Sequence, residues 1–315
     1  MGRKRKGDQV DGWVLFDKPL GMTSTRAVAV VRRLFNAQKA GHAGTLDPLA
    51  TGMLPIALGE ATKTVPFIVD ATKDYEFTVC WGEERDTDDR EGQAVETSTM
   101  RPEMQDIIDC LQSYQGEITQ TPPAYSAIKI DGKRAYDLAR SGEKVAPKPR
   151  QVQIHSLDLV DQPDADHARF RVTCGKGTYI RALARDMGRD LGCFGHVAEL
   201  RRTRVGPMDE ARMILLDKLE TFSHKGDGQQ MLATLICPVE TALDDIPALA
   251  VSGADTVCLR QGQSILVRGG DAPVVTGLAY AVCKGDLVAL GEVRRGELHP
   301  TRVFNIAGPS PQNGT

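Results

Sequence analysis

Alternating apolar and polar residues in two segments limit most strongly what this chain can fold into. The segment KDYEFTVCW, residues 73–81, places Tyr, Phe, Val and Trp at every second position, and ARFRVTC, residues 168–174, repeats the pattern. A period of two is typical of a strand with one buried face. Apolar residues at helical spacing predict helices over 25–35, about 103–114, about 178–191 and 211–222. Strands and helices together predict an α+β protein in which helices pack on a sheet.

The 315 residues exceed the length of a typical single domain, and the character of the chain changes towards its end. Short apolar strands separated by Gly and Asp turns follow, which predicts a small β domain over 246–309 after a larger unit over 11–245. The basic segment 1–10 is expected to be a flexible tail that either only aids solubility or attracts phosphates. Residues 310–315 are expected to fray.

Charge is distributed unevenly along the chain, although the formal net charge is only −3. Residues 83–96 carry seven acidic side chains against two arginines, while residues 171–204 carry eight Lys and Arg against three acidic side chains. A basic surface that faces phosphates, with the acidic segment turned away, would satisfy both facts. We therefore retain nucleic acid as a partner.

Several cofactor and location classes lack support. The seven cysteines are widely spaced without a C-x-x-C pair, which favours reduced thiols in a cytoplasmic protein and gives no metal site. No segment approaches the ~18–20 apolar residues of a membrane helix. No P-loop, dinucleotide fingerprint or H-E-x-x-H motif is present. We expect any enzyme with this sequence to work with side chains alone, without a cofactor.

The segment GHAGTLDPLATG, residues 41–52, contains a carboxylate with two possible roles. Asp47 precedes Pro48, a residue favoured at the first position of a helix, so it is a credible helix N-cap. The glycines around it exceed what a cap requires and would allow close approach of a ligand. A carboxylate is ionised at neutral pH and can act as a nucleophile without a base. His42 is expected in a loop, either solvated or functional.

Two further segments each allow a structural and a functional interpretation. Tyr75 is either a core aromatic residue or a stacking platform for a base whose hydroxyl takes part in proton transfer. In GKGTYIRALARDMGRD, Arg181, Arg185 and Arg189 recur every four residues, which for the last two favours a solvated face paired with acidic neighbours. Arg181 lies at the Gly-rich entrance, where it could hold a carboxylate ionised.

Six segments in order resemble the bacterial tRNA pseudouridine-55 synthases of the TruB type. They are GWVLFDKPLGMTS, GHAGTLDPLATGMLPIALGEATK, KDYEFTV, TPPAYSAIKIDGKRAYDLARSGE, GTYIRALARDMG and AELRRTRVG, and the resemblance covers roughly residues 10–310. It implies the pseudouridine synthase fold, with a large mixed, mainly antiparallel sheet flanked by helices and a small C-terminal PUA-like β domain. It also implies isomerisation of one T-loop uridine of tRNA to pseudouridine after base flipping.

The resemblance also implies roles for particular residues. Asp47 is the nucleophile, Arg181 pairs with it, and Tyr75 stacks on the target base and is the favoured group for removing the proton at carbon 5. His42 supports the disrupted RNA loop. The remaining expected RNA-binding residues are Tyr179 and Leu200, which line the base site, and Lys18 and Lys129. A thumb-like insertion over about 122–150 would clamp the stem-loop, and the C-terminal domain would lie near the acceptor arm.

Two alternatives to this interpretation are kept. The guide-RNA-dependent relatives commonly have Lys where this chain has Leu49, so a stand-alone enzyme without guide RNA is favoured. We expect this enzyme to be a monomer. The other alternative is a tRNA-binding folding chaperone whose isomerase activity is secondary or lost. The intact set of Asp47, Tyr75 and Arg181 argues against loss.

Overall fold

The computed structural model describes residues 7–126, 147–267 and 276–306, and the backbone of residues 129–130 and 133–134. The α-helices in this part of the chain are α1 (Ser24–Leu34), α2 (Val65–Asp70), α3 (Met104–Leu111), α4 (Ile180–Asp190), α5 (Leu216–Ser223), α6 (Gly228–Ala233) and α7 (Gly253–Arg260). The strands are β1 (Gly12–Lys18), β2 (Ala40–His42), β3 (Ala50–Leu58), β4 (Lys73–Trp81), β5 (Glu83–Arg85), β6 (Ala94–Thr97), β7 (Gly116–Gln120), β8 (Lys129–Ile130), β9 (Lys133–Arg134), β10 (Arg150–Asp164), β11 (His167–Cys174), β12 (Gly195–Val205), β13 (Ile214–Leu215), β14 (Ala248–Ala250), β15 (Ile265–Leu266), β16 (Gly277–Cys283), β17 (Asp286–Arg294) and β18 (Glu297–Val303). Among these residues, no helix combines the length and the apolar character needed to cross a membrane.

One large sheet forms the centre of the molecule. Its strands follow the order β13-β1-β3-β12-β4-β11-β10-β7, with β2 paired to β3 beside this path. The pairs β1–β13 and β3–β12 are parallel and the other pairs are antiparallel. The alternating segments 73–81 and 168–174 are neighbours in it, as β4 and β11. The expected mixed, mainly antiparallel sheet is confirmed.

Strand β1 is buried on both faces, which explains its unbroken apolar run. Val14 and Phe16 pack into the core that the sheet shares with helices α1, α3, α4, α5 and α6. Trp13 and Leu15 point to the opposite face and belong to a second core. That core includes Leu290 and Phe304 of the C-terminal part of the chain. The larger unit and the C-terminal unit therefore pack against each other through this strand.

A separate β domain follows, as expected. Its five-stranded sheet has the order β14-β16-β17-β18-β15 and encloses a third core. Helix α7 was not predicted, although its start carries a recognisable signal. Ser252 Oγ accepts a hydrogen bond from the Asp255 amide at 3.1 Å, and the Asp255 carboxylate accepts one from the Ser252 amide at 3.2 Å. This is a reciprocal cap in which Asp replaces the usual Glu or Gln. The boundary at residue 246 stays a prediction.

The predicted helix over 211–222 is wrong in its first half. Residues Glu210–Arg212 form a single 3₁₀ turn, and Ile214 and Leu215 then pair in parallel with Phe16 and Asp17 of β1. The helix begins only at Leu216. Local apolar spacing favoured a helix, but pairing with the edge of the large sheet satisfies the same backbone groups and prevails.

Parts of the predicted tails and of the insertion lie outside the described residues. These are residues 1–6, 310–315 and most of the thumb-like insertion. The backbones of β8 and β9 pair as an antiparallel hairpin, with Lys129 opposite Arg134. At the N-terminus, the Asp8 amide donates to the Asn36 carbonyl at 2.7 Å. The chain is therefore attached to the sheet-and-helix unit three residues before the predicted boundary at residue 11.

Part of the acidic segment pairs with part of the basic one. Glu84, Asp88 and Asp89 are buried. They lie against α4, where Arg189 pairs with Glu84 at 2.6 Å and Arg185 pairs with Asp88 at 2.8 Å. These three carboxylates therefore compensate the charge of the arginines on α4 and do not form part of an exposed acidic face.

Candidate active site

Asp47 lies in the loop between β2 and β3, and it does not cap a helix. The Ala50 amide donates to the Asp47 carbonyl at 3.1 Å, which closes a turn through Pro48 and Leu49. Strand β3 begins at the next residue and pairs with both β1 and β12. The predicted N-cap is wrong because pairing in the sheet, which the local sequence does not reveal, takes up the chain after Pro48. The carboxylate is left without a capping role.

The loop before Asp47 is held by a buried hydroxyl. Ser24 Oγ donates to the Leu46 carbonyl and accepts from the Leu46 amide, both at 2.9 Å. Only 4% of Ser24 is exposed. Both backbone groups of the residue before Asp47 are thus satisfied by one side chain at the start of α1, which restricts the conformations of the carboxylate.

Lys18 binds the same turn through a backbone carbonyl. Its ammonium donates to the carbonyls of Pro48, Met22 and Pro19 at 3.2, 2.8 and 3.0 Å. Burial lowers the pKa of Lys18 to about 8, against the opposing effect of the Asp47 charge. The residue is fully buried, so the expectation that it contacts RNA does not fit the structure. Its contacts are those of a support for the turn that carries Asp47.

Arg181 holds the Asp47 carboxylate, as the resemblance implies. Its Nε donates to Asp47 Oδ2 at 2.9 Å, while its two terminal nitrogens donate to the carbonyls of Thr87 and Tyr125 at 2.7 and 2.9 Å. A second carboxylate, Asp89, lies 3.6 Å away. Burial alone would lower the pKa of Arg181, but the charges of Asp47 and Asp89 raise it overall. The guanidinium is 5% exposed and the Asp47 carboxylate 37%, so the anion faces the solvent-accessible cleft from a rigid cationic support.

The solvated-face interpretation of the other two arginines on α4 needs correction. Arg185 is buried and binds Asp88, Asp186 and the carbonyl of Thr121. Arg189 is half exposed and pairs with Glu84 of β5, not with Asp190. Helix α4 is therefore anchored on its polar face as well as on its apolar one.

Tyr75 has a ring at the edge of the core and lies beside a buried cation. It is 9% exposed, and its direct partner across the β4–β12 pairing is Arg202, whose guanidinium carbon lies 6.0 Å from the ring centroid. Arg202 donates to the carbonyls of Met53 and Gly44 at 2.7 and 3.0 Å. Burial raises the pKa of the Tyr75 hydroxyl, and the charge of Arg202 opposes that rise. The cation therefore favours any step in which Tyr75 gives up its proton.

Sequence reasoning missed Arg202, although a signal for it existed. Within AELRRTRVG, strand alternation places Arg202 on the same face as Leu200, which was expected at the base site. It is 1% exposed, and no ion pair joins it to a carboxylate among the described residues. Its guanidinium is instead held by two backbone carbonyls and lies beside the Tyr75 ring. By contrast, nothing in the local sequence pointed to Ser24 or Asp89.

A cleft of about 550 Å³ brings most of the expected residues together. Its walls include Asp47, Tyr75, Tyr179, Arg181, Leu200 and Arg202. Its volume lies within the ~300–1,000 Å³ typical of small-ligand sites. Lys129 has no described side chain, so its expected RNA contact lies outside the described residues.

His42 does not line this cleft, and it lies in a strand instead of the expected loop. It ends β2 and pairs with Ile56 of β3. Its Nδ1 is buried without a hydrogen-bond partner. Burial, followed by the charge of Arg202, lowers the pKa of His42, which keeps the ring neutral at physiological pH.

Two of the glycines around Asp47 serve the fold directly. Gly52 has φ +93°, and a Cβ there would meet the Arg202 carbonyl oxygen at 2.2 Å. Gly44 has φ +98° beside the Arg202 guanidinium. Gly41 faces open space, where an added Cβ would meet no atom within 4 Å. Only Gly41 therefore fits the idea that glycine leaves room for a ligand outside the protein.

The site presents an oriented carboxylate, a buried aromatic hydroxyl and a buried cation around one cleft. Such a set is suited to nucleophilic or acid–base chemistry. Within residues 7–126, 147–267 and 276–306, no group of three or more His, Cys, Asp or Glu side chains is arranged to hold a metal ion.

Comparison with protein families decides the affiliation of the chain. Residues 32–180 match the model of the TruB family pseudouridylate synthase N-terminal domain, and residues 181–244 match that of the tRNA pseudouridylate synthase B C-terminal domain. The chain belongs to the TruB family of pseudouridylate synthases. The residues of the cleft fall in both matched regions, with Asp47, Tyr75 and Tyr179 in the first and Arg181 at the start of the second. The C-terminal β domain lies beyond both regions.

Curated relatives in this TruB family match almost the whole chain. The tRNA pseudouridine synthase B of Bradyrhizobium diazoefficiens is 59% identical over 99% of this chain and 93% of its own length. The protein of the same name from Agrobacterium fabrum is 56% identical, covering 96% and 97%. That from Caulobacter vibrioides is 52% identical, covering 97% and 100%.

Solved structures support the TruB fold assignment. A chain from the crystal structure of a Cbf5–Nop10–Gar1 complex has a TM-score of 0.72 and 27% identity, covering 94% of this chain and 84% of that one. A chain from an H/ACA RNP bound to a substrate RNA containing 2′-deoxyuridine has a TM-score of 0.71 and 24% identity, covering 98% and 92%. The expected pseudouridine synthase fold is thus confirmed.

Proposed function

We propose that this chain is a tRNA pseudouridine synthase that isomerises the T-loop uridine at tRNA position 55. The observation that carries the proposal is the Asp47 carboxylate, held by the buried guanidinium of Arg181 at the wall of a cleft that Tyr75 also lines. More than half of the residues are identical to those of relatives named tRNA pseudouridine synthase B. The same relatives support a cytoplasmic enzyme.

The reaction is an isomerisation, so the composition of the nucleoside is unchanged: the proton lost from C5 is balanced by one that N1 gains. The bond between base N1 and ribose C1′ breaks, the base turns, and a bond forms between C5 and C1′. In one version Asp47 attacks C1′, and in the other it removes a ribose proton to form a glycal. In both, the proton at C5 must leave at the end, and Tyr75 is the group we assign to this step. The acid–base work thus needs only side chains of the cleft.

Several features support the roles of the remaining residues. Tyr179 and Leu200 line the cleft beside Tyr75, where a flipped base would be enclosed. His42 lies on β2 outside the cleft, which suits a contact with the displaced RNA loop better than a contact with the base. The insertion over about 122–150 and the C-terminal PUA-like domain are assigned to the T-arm and to the elbow and acceptor arm.

A stand-alone enzyme without guide RNA fits these comparisons better than a guide-dependent enzyme, and we assign it as a monomer. The structural neighbours from Cbf5 and H/ACA complexes share about a quarter of their residues with this chain, whereas the bacterial relatives share more than half. Leu49, in the turn after Asp47, also departs from the Lys common in the guide-dependent group. A purely chaperone role is disfavoured because the catalytic set is complete.

Tritium release from carbon-5-labelled uridine tests the proposal. The substrate is a T-arm stem-loop RNA with no other protein, guide RNA or cofactor, and the matched control is the same stem-loop with its label at a different uridine. We expect stoichiometric release from the T-loop uridine alone. No release from this RNA and from full-length tRNA would refute the proposed function, while release only in the presence of an added RNA would refute guide independence.

A further inference from the structure

Tyr179 is held from two sides by a pair of residues on neighbouring strands. Gln120 ends β7, Arg150 begins β10, and the two are direct partners in the antiparallel pairing. The side-chain oxygen of Gln120 accepts from the Tyr179 amide at 2.8 Å, and its Nε2 donates to the Tyr179 carbonyl at 3.0 Å. The Arg150 guanidinium carbon lies 4.9 Å from the centroid of the Tyr179 ring. Backbone and ring of Tyr179 therefore have separate supports.

The Gln120 contact acts at the start of a catalytic helix. Tyr179 is the N-cap of α4, and its own side chain makes no capping hydrogen bond. Gln120 supplies a partner for the backbone at this point, two residues before Arg181. Only 1% of Gln120 is exposed, so the amide is closed to direct contact with RNA. Any effect of Gln120 on the reaction must pass through the residues that it holds.

The Arg150 contact acts on the ring. A guanidinium above an aromatic face attracts the ring electrostatically and restricts its rotation. Arg150 also donates to the Gly177 carbonyl, which ties the stacked guanidinium to the Gly-rich segment before α4. No ion pair joins Arg150 to a carboxylate among the described residues, so its charge remains available to the ring and the cleft that it lines.

We propose that Gln120 and Arg150 are positioning residues for Tyr179, setting the height and tilt of its ring in the base site. The inference rests on the proposed function, because it concerns the wall against which the flipped uridine lies. Neither residue takes part in bond breaking. Both residues lie at the strand ends that flank the insertion, Gln120 at the end of β7 and Arg150 at the start of β10. The same two strand ends therefore carry the insertion and support Tyr179, which forms a wall of the base site.

Gln120→Leu tests the backbone part of this proposal. The change keeps the side-chain volume but leaves the Tyr179 amide and carbonyl without their partner. We expect the single-turnover rate of tritium release to fall about 10- to 100-fold, because the Tyr179 ring, a wall of the base site, would be misplaced. The Kd for the T-arm RNA should stay within a few-fold. Thr119→Val, which removes an exposed contact to Gln151 one residue away, is the matched control and should leave the rate unchanged.

A double-mutant cycle separates positioning from general damage to the fold. If Gln120 acts through Tyr179, adding Gln120→Leu to Tyr179→Ala should cost little further rate, so the two effects are strongly non-additive. If the rate losses of the two single variants simply multiply in the double variant, as they do for independent residues, the proposal is overturned. Gln120→Glu retains the acceptor for the Tyr179 amide and should recover part of the rate. A lower melting temperature with an unchanged rate in the folded protein would reduce Gln120 to a structural residue and also overturn it.

The salt dependence of binding tests Arg150 separately. Arg150→Leu should lower the single-turnover rate with little change in the slope of log Kd against log salt. A weakened Kd with a slope reduced by about 1 and a normal rate at saturating RNA would identify a phosphate contact and refute the positioning role. If the wild-type protein releases no tritium, the proposed function itself fails. If it does and the cycle is additive, only the present inference fails.

Discussion

Asp47→Asn separates the chemical role of the carboxylate from its structural role. Asn has the same shape and keeps a hydrogen-bond acceptor for Arg181, but it lacks the charge needed for nucleophilic or base chemistry. We expect the rate of tritium release to fall at least about 10⁴-fold, as is common when a nucleophile is removed. That loss corresponds to a rise of about 5.5 kcal/mol in the activation free energy.

The structural cost of the same change is much smaller. Asp47 is 37% exposed, and Arg181 keeps two carbonyl partners and Asp89 at 3.6 Å. A partly exposed ion pair contributes only about 0–1 kcal/mol to the free energy of unfolding, after discounting for solvent screening. The melting temperature should therefore change by no more than about 2–4 °C. Instability of that size cannot account for a 10⁴-fold loss in rate.

The assay compares tritium release, tRNA affinity and melting temperature in one set of variants. Asp166→Asn is the control, because it also breaks an aspartate–arginine pair, to Arg101 at 2.5 Å, but lies outside the cleft. It should leave the rate unchanged. Affinity of Asp47→Asn for tRNA should stay within several-fold, since a carboxylate adds no attraction to phosphates. Near-normal release by Asp47→Asn would refute the assignment of Asp47 as the catalytic carboxylate.

Individual contacts lead to three further predictions. Gly52→Ala should destabilise the fold by several kcal/mol, because the new Cβ would lie 2.2 Å from a carbonyl oxygen at a φ of +93°. Gly41→Ala, where a Cβ meets no atom within 4 Å, should leave the melting temperature unchanged. Equal unfolding midpoints of the two variants in urea would refute this reasoning. Burial raises the pKa of Tyr75, and the charge of Arg202 opposes that rise. Arg202→Met removes this charge, so any increase of the reaction rate with pH should move to higher pH. An unshifted pH–rate profile would show that Tyr75 is not the titrating base. Binding of tRNA should weaken steeply with salt if the basic insertion contacts phosphates, and a flat titration by filter binding would contradict that assignment.

The sequence predicted the elements of the sheet well because their signals are local. Alternation in β4 and β11 reports a strand with one buried face, whatever its neighbours are. The helical stripe after Thr23 likewise located α1, whose N-cap is Thr23 itself. The helix expected from residue 211 failed because Ile214 and Leu215 pair with β1, a contact between residues about 200 positions apart. Local patterns carry no information about such pairing.

For the candidate site, the sequence by itself determined the residue types and their order, while the tertiary structure decided their contacts. The Gly-rich loop already distinguished Asp47 from an ordinary acidic residue, but only the fold shows that it caps nothing and meets Arg181, 134 residues later. Three features depend on which strands lie side by side: the burial of Lys18, the position of the Arg202 guanidinium beside Tyr75, and the hydrogen bond between Gln120 and the Tyr179 amide. Ion pairs and burial arise between residues distant in sequence, so they become visible only when the sheet has brought them together.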